Sequence, residues 1–204
     1  MKRCVFGKKA WPKIQAILKT RAFYAVAGLI QQFKSQVLCL LEQSAVAIYH
    51  AAQTHLESLN ALHRNFVREL GLSEAEAFLV HKLAPLALRR DIAALGLLHK
   101  IQLGEAHPDF NSLFQQRVDA APAATRHGSR RHGRQVAEIH GNSYYVNQSL
   151  FGLTKVYNVL PEYVVAGASM SAFQSALTKD ARIACQTGRP DWITMYNGRH
   201  YSWR

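Results

Sequence analysis

Acid is scarce in this 204-residue chain: 13 Asp and Glu stand against 25 Lys and Arg, a formal net charge of +12. No two aspartates are adjacent, so the clustered carboxylates that two-metal phosphoryl transfer needs are not visible. Cysteine is scarce as well. Cys4, Cys39 and Cys185 are isolated and form no C-x-x-C, which points to a reducing compartment such as nucleus or cytoplasm. Long apolar runs are missing. The most apolar stretch, "VLCLLEQSAVAIYHAA", is broken by Glu42 and Gln43 after five residues, well short of the ~18 that a membrane span needs. There is no G-x-x-x-x-G-K-[ST] for a nucleotide, no H-E-x-x-H for zinc and no G-x-S-x-G for a nucleophile. The ten histidines are scattered; His50 and His55 are five apart, on different helix faces, and His127 and His132 have no cysteine nearby. No cofactor, metal or catalytic residue is therefore expected.

What is present is enough apolar material for a core. Hydrophobic residues make up 49% of the chain, which argues against wholesale disorder and lets a chain of this length fold without a disulfide or metal. Their spacing is helical. From Lys13 to about Ala52, apolar residues recur at three- and four-residue steps: Leu29, Phe33, Val37, Leu40, Leu41 and Ile48. After Val37 they run nearly all round, with Cys39 in the buried stripe and Gly28 marking a break before it. Thr54 and Glu57 have the spacing of a capping box, and so do Ser73 and Glu76. Between them Leu59, Leu62, Phe66, Val67 and Leu70 share a face, and Gly71 stands where a left-handed C-terminal residue belongs. Pro85 suits a first helical turn, Leu88, Ile92, Leu95 and Leu98 follow on one face, and Gly104 closes the segment. Asp109 is placed to cap a short helix through Phe114, and Ser169 one that carries Phe173, Leu177 and Ile183.

The expected fold is mainly α: helices near 29–52, 54–70, 73–82, 86–103 and 169–186, with a possible short strand at Tyr144 to Val146. The expected core is Phe33, Val37, Leu41, Leu59, Phe66, Leu70, Ile92 and Leu95. Composition divides the chain into a basic N-terminal segment (1–28), a helical domain (29–116), a basic flexible linker (117–142) and a small α-rich C-terminal segment (143–204). The linker, with "DAAPAATRHGSRRHGRQ", is short of large apolar residues and reads as exposed and irregular from Pro122 to Arg134.

Charge is then the one chemical feature. Lys8, Lys9, Lys13, Lys19 and Arg21 form one group within a stretch, Met1 to Arg21, that has seven basic residues and no acid. That stretch also has the charge of an organellar transit peptide, but it lacks the serine richness and has Pro12 early. Arg64 and Arg68 share a helix face. Arg89, Arg90 and Lys100 form a third group, with Asp91 beside them for local pairing, and Arg126, Arg130, Arg131 and Arg134 a fourth. For any single residue a solvated surface is the ordinary explanation. Jointly they suit a surface that tracks phosphates without reading sequence. Tyr144, Tyr145, Trp192 and Trp203 are candidates for base stacking, although aromatics near a C-terminus more often dock a tail onto the core.

The segment "KSQVLCLLEQSAVAIYHAAQTHLESLNALHRNFVRELGLSEAEAFLVHKLAPLALRRDIAALGLLHKIQLG" resembles the region that follows the polymerase core in LINE-type (non-LTR) retrotransposon reverse transcriptases, most closely the copies found in dinoflagellate genomes. The family pattern has an "xIYHAA"-like helix end, a "LxxLxRxFxRELGLS" helix and "LAPLxxRRDIAxLGxLHxxxLG". In the second half "SLFGLTKVYNVLPEYVVAGASMSAFQSAL" resembles the family's closing "RSxFGLxxVYNxLPxxVVxAxSVxxFQxxL", with Gln148 in place of its basic residue. The two stretches lie within Leu18 to Trp192, in the family order and separated by a variable basic linker.

The resemblance implies helices that embrace a template–primer duplex. It carries over no catalytic residue, because the family's "[FY]xDD" palm aspartates have no counterpart here. The expectation is a non-catalytic remnant, in thumb and post-polymerase position, that binds RNA or RNA–DNA duplex backbone. Lys19, Arg21, Arg64, Arg68, Arg89, Arg90, Lys100, Arg130 and Arg131 would contact phosphates. The alternative is a structural or interaction scaffold, or a decayed gene product, with no nucleic-acid role.

Overall fold

The computed structural model describes residues 5–42, 46–116, 132–137 and 144–200, and it is mainly α. The chain forms two compact units. The first comprises residues 1–90 and 182–193, the second residues 91–181 and 194–204.

In the first unit α1 (Val5–Lys19) runs straight through Pro12, which lies on the exposed face. A turn over residues 20–25 leads to α2 (Val26–Phe33), and the helix continues through a π-helical turn (Lys34–Leu38) into α3 (Cys39–Glu42). A 3-10 turn (Ala47–His50) precedes α4 (Gln53–Glu69), and α5 (Glu74–Leu79) follows it. Their apolar stripes meet in one core: Ile14 and Ile17 of α1, Leu29, Ile30 and Phe33 of α2, and Leu59, Phe66 and Val67 of α4. Phe33 and Phe66 stack face to face with centroids 4.1 Å apart, and both are fully buried. Two large apolar rings removed from water contribute several kcal/mol here, roughly 1.5–3 each by area.

In the second unit lie most of α6 (Leu86–Gln102), then α7 (Asp109–Leu113), the segment 132–137, α8 (Tyr144–Asn147), α9 (Leu150–Asn158), α10 (Glu162–Val165), and α11 (Met170–Gln186) as far as Ala181. Helices α6 and α11 each begin in one unit and end in the other. A 3-10 turn (Gly198–His200) packs on α9. The α9 backbone is tight: a Cβ on Gly152 would stand 2.4 Å from the Asn147 carbonyl oxygen, so only glycine fits without a backbone shift.

Seven of the eight expected core residues are buried; Leu70 is half-buried at the end of α4. Ser73 and Glu76 form the capping box, with the Ser73 hydroxyl accepting from the Glu76 amide at 3.1 Å and the Glu76 carboxylate accepting from the Ser73 amide at 2.9 Å. Gly71 and Gly104 take φ +73°, as C-terminal glycines do. Ser169 caps α11, its hydroxyl accepting from the Ala172 amide at 3.2 Å.

Several expectations are corrected. The helix over 29–52 is not continuous: it changes pitch at Lys34 and ends in a 3-10 turn. Gly28 breaks nothing; it lies in the first turn of α2, and the break is the turn before Val26. Thr54 caps no helix, because α4 already starts at Gln53 and Glu57 turns instead to Arg64 and Asn60. Asp109 sits inside the first turn of α7 rather than capping it. Tyr144 to Val146 is helical, not extended. Cys39 is exposed, its thiol donating to the Ser35 carbonyl at 3.2 Å. Residues 117–131 of the basic segment lie outside the described residues, but 132–137 are not an exposed linker: His132, Gln135 and Val136 are buried, and Gln116 bridges to Val136.

Candidate nucleic-acid interface

The basic residues separate into cations that hold the fold and cations that face water. Arg90 is only 5% exposed and its Nη2 donates to Asn60 Oδ1 at 2.7 Å. Arg89 is half-buried and grips the Glu42 carboxylate, Nη2 to Oε2 at 2.9 Å with Nε on the other oxygen. This two-point pairing occupies the planar guanidinium face that would otherwise take a phosphate. Both guanidiniums, which the sequence reading assigned to phosphates, are bonded within the protein. Lys34 donates from Nζ to the His81 carbonyl at 2.7 Å. Burial lowers the Lys34 ammonium first, and Arg89 and Lys82 lower it further. Arg134 is likewise inside: its Nη1 donates to the Val165 carbonyl at 2.8 Å and the Gly167 carbonyl at 3.2 Å.

Arg64 and Arg68 are exposed on α4 but engaged. Arg64 pairs with Glu57, and Arg68 Nη2 donates to Asn65 Oδ1 at 3.1 Å. Burial would raise the Glu57 carboxyl, but hydrogen bonds from Arg64 and Asn60 outweigh it and hold that group low. An exposed pair of this kind is weak, about 0–1 kcal/mol. Lys100 is half-buried on α6. Arg130 and Arg131 lie outside the described residues.

Lys19 and Arg21 are exposed as expected, and so are Lys9 and Lys13. No Asp or Glu precedes Glu42 in the chain. Beside this group stand two rings that pattern reasoning passes over: Phe23, 85% exposed, and Tyr24, 52% exposed. A sequence signal exists, since "KTRAFY" sets two aromatics within a few residues of two cations. Of the aromatics named from sequence, Trp192 is not free, being stacked on Phe78 at 5.5 Å. Tyr144 and Tyr145 are exposed at 64% and 81%, edge to face with each other at 5.8 Å. Trp203 lies outside the described residues.

The motif residues of the second unit have a different task. The side-chain amide of Asn158 pairs with the backbone of Val136 in both directions, at 2.9 Å each, and so pins 132–137 against α9. His132 donates from Nε2 to the Tyr157 carbonyl at 2.9 Å, and its ring meets the Tyr157 ring edge on at 5.3 Å. His99 of α6 stacks on Phe173 of α11 at 4.2 Å. The Gly167 carbonyl can only accept, so His99 Nε2 carries the proton it donates there at 3.1 Å, and Nδ1 accepts from the Tyr157 hydroxyl at 3.0 Å. Burial lowers the His99 imidazole, partly offset by the Gly167 bond, and raises the Tyr157 phenol. "LGLLH" and "VYNVLP…FQ" are thus complementary halves of one buried network. No group of three His, Cys, Asp or Glu that would hold a metal occurs among the described residues. No helix of the described residues is long and apolar enough to cross a membrane. Comparison with protein-family models, with curated proteins and with solved structures gives no match.

Proposed function

We propose that this chain is a non-catalytic remnant of a non-LTR retrotransposon reverse transcriptase that binds RNA or DNA backbones without sequence preference. The observation that carries the binding half is the set of exposed cations Lys9, Lys13, Lys19 and Arg21 in a stretch of sequence with no carboxylate before Glu42. A chain of net charge +12 attracts polyanions in general, and a cluster of exposed cations is where phosphates would gather. The retroelement half rests on the resemblance of the two motif stretches. Of the residues named from sequence, this proposal keeps Lys19 and Arg21, adds Lys9 and Lys13, and sets aside Arg89 and Arg90, whose guanidiniums bond Glu42 and Asn60.

A second reading is a structural or interaction scaffold without a nucleic-acid role. It is favoured by the engagement of Arg64, Arg89 and Arg90 by Glu57, Glu42 and Asn60. Filter binding of a labelled RNA over a salt series separates the two. Backbone binding predicts weak affinity whose logarithm falls linearly with the logarithm of salt concentration. No retention at the lowest salt would favour the scaffold.

A further inference from the structure

The turn between α1 and α2 is ordered and exposes two aromatic rings. Thr20 and Arg21 donate their amides to the carbonyls of Ile17 and Leu18 at 3.0 and 3.2 Å, Phe23 donates to Thr20 at 2.9 Å, and the Thr20 hydroxyl donates to Ile17 at 2.7 Å. The backbone that carries Phe23 and Tyr24 is therefore held. Tyr24 is held further at its side chain. Its Cδ1 and Cβ would lie 3.7 and 3.8 Å from a Cβ on Gly28, so the ring leans on the start of α2 and turns its remaining half to water. Phe23 has nothing equivalent and leaves 85% of its surface in solvent. Covering such a ring would remove its apolar area from water without first having to order the backbone that carries it.

Charge decides what covers it. Lys19 and Arg21 are within four residues of Phe23, and Lys9 and Lys13 are further exposed cations on α1, about 15 Å of axis from Lys9 to Lys19 at 1.5 Å per residue. A partner that matches must bring repeated negative charge and flat apolar faces together. Unpaired nucleotides do this: phosphates follow cations while bases stack on aromatic rings, with little regard to sequence. In a duplex the base faces are already stacked inside, so the rings would gain nothing. An anionic lipid surface offers the charge but needs an apolar insertion larger than one phenyl and one phenol ring, and the apolar stripe of α1 is already used in the core.

We propose that Phe23 and Tyr24, flanked by Lys9, Lys13, Lys19 and Arg21, form a stacking site for single-stranded nucleic acid. This rests on the backbone-binding reading above and narrows it from nucleic acid in general to unpaired strands.

The test is fluorescence anisotropy of the full chain with two probes: an oligouridine of about 20 nucleotides, longer than the roughly 4–16 that a stacking groove usually spans, and an RNA duplex of the same length. The parent is expected to favour the single strand. Phe23→Ala/Tyr24→Ala is expected to weaken oligouridine binding about tenfold or more, since each stacked base contributes around a factor of ten, and to leave duplex binding unchanged. Phe23→Trp, which keeps a ring, should retain affinity, with its fluorescence quenched by oligouridine. Both positions are exposed, so the variants should keep the parent's circular dichroism melt.

Equal binding of strand and duplex, unaffected by the double substitution, would overturn the stacking site and leave the backbone-binding reading standing. Failure of the parent to bind either probe at low salt would overturn both. Loss of binding to phosphatidylserine vesicles in the double variant, with oligouridine binding intact, would overturn the stacking site in favour of a membrane surface.

Discussion

His63 in the first unit and His99 in the second are equally sealed from water, at 1% and 0% exposed, yet they are handled in opposite ways. Both nitrogens of His99 are bonded, to Tyr157 and Gly167, and the ring lies flat on Phe173. Neither nitrogen of His63 makes a hydrogen bond among the described residues; the ring only meets Phe33 edge on at 5.9 Å. The first unit has buried polar contacts of its own, Arg90 to Asn60 among them, but sets this ring among apolar neighbours. The second is organised by polar groups that specify how its helices meet. The first can absorb a histidine as a hydrophobe; the second depends on each donor having its acceptor.

The largest effect should come from the apolar side of the comparison. Phe66→Ala should cost about 3–5 kcal/mol in urea unfolding, because it removes half of the Phe33–Phe66 stack and leaves a cavity. A loss under about 1 kcal/mol would mean that the first core is loosely packed and collapses around the gap.

Acid should separate the units next. Burial, reinforced by Arg89 and Arg64, pushes the His63 imidazole down from 6.5 to about 4. The unfolded chain therefore takes up this proton first as pH falls. His63 should leave stability intact above pH 6.5 and erode it as pH drops towards 4, by about 3 kcal/mol in all, at 1.36 kcal/mol per unit. Urea midpoints followed by tryptophan fluorescence at pH 7 and pH 4.5 read this directly. His63→Leu should remove that part of the acid dependence while changing pH 7 stability little, since it replaces an unpartnered polar ring by an apolar chain. An unchanged acid dependence in the leucine variant would show that His63 has a partner in solution.

The smallest of the three belongs to the second unit. Tyr157→Phe keeps the ring but strips the hydroxyl from His99 Nδ1, leaving a buried acceptor unpaired, at a cost of about 1–3 kcal/mol. Stabilisation by that substitution would show that the network is not what organises this unit.

Much of this is legible in the sequence, within limits that the residues make plain. Periodicity places Phe33, Val37, Leu59 and Phe66 in the core because a helix of 3.6 residues per turn fixes which side chains share a face. Ser73 and Glu76 are a local device and read correctly. Thr54 and Glu57 carry the same spacing, but the helix starts one residue before Thr54, at Gln53, and Glu57 has a cationic competitor seven residues on. The arginines mislead for the same physical reason at longer range. Glu42 and Arg89 are 47 positions apart, and Asn60 and Arg90 are 30 apart, so nothing local announces that they meet. His63 sits on the same stripe as Leu59 and Phe66, and a pattern of apolar residues skips it because its ring is polar. Phe23 and Tyr24 obey no period; their nearness to Lys19 and Arg21 in the sequence is a weak signal, and it is their exposure that singles them out.

The placing of the interface on α1 and the turn after it, rather than on α4, is most directly tested by two sets of substitutions compared in one assay. Lys9, Lys13, Lys19 and Arg21 changed together to Gln form one protein; Arg64 and Arg68 changed to Gln form the other. Oligouridine affinity is measured for both and for the parent across a salt series. The first set should weaken binding and flatten the log–log salt slope, by up to roughly 0.7 for each phosphate no longer neutralised. The second should follow the parent within error. A flattened slope in the Arg64/Arg68 protein, with the N-terminal set binding like the parent, would contradict the account and return the interface to α4.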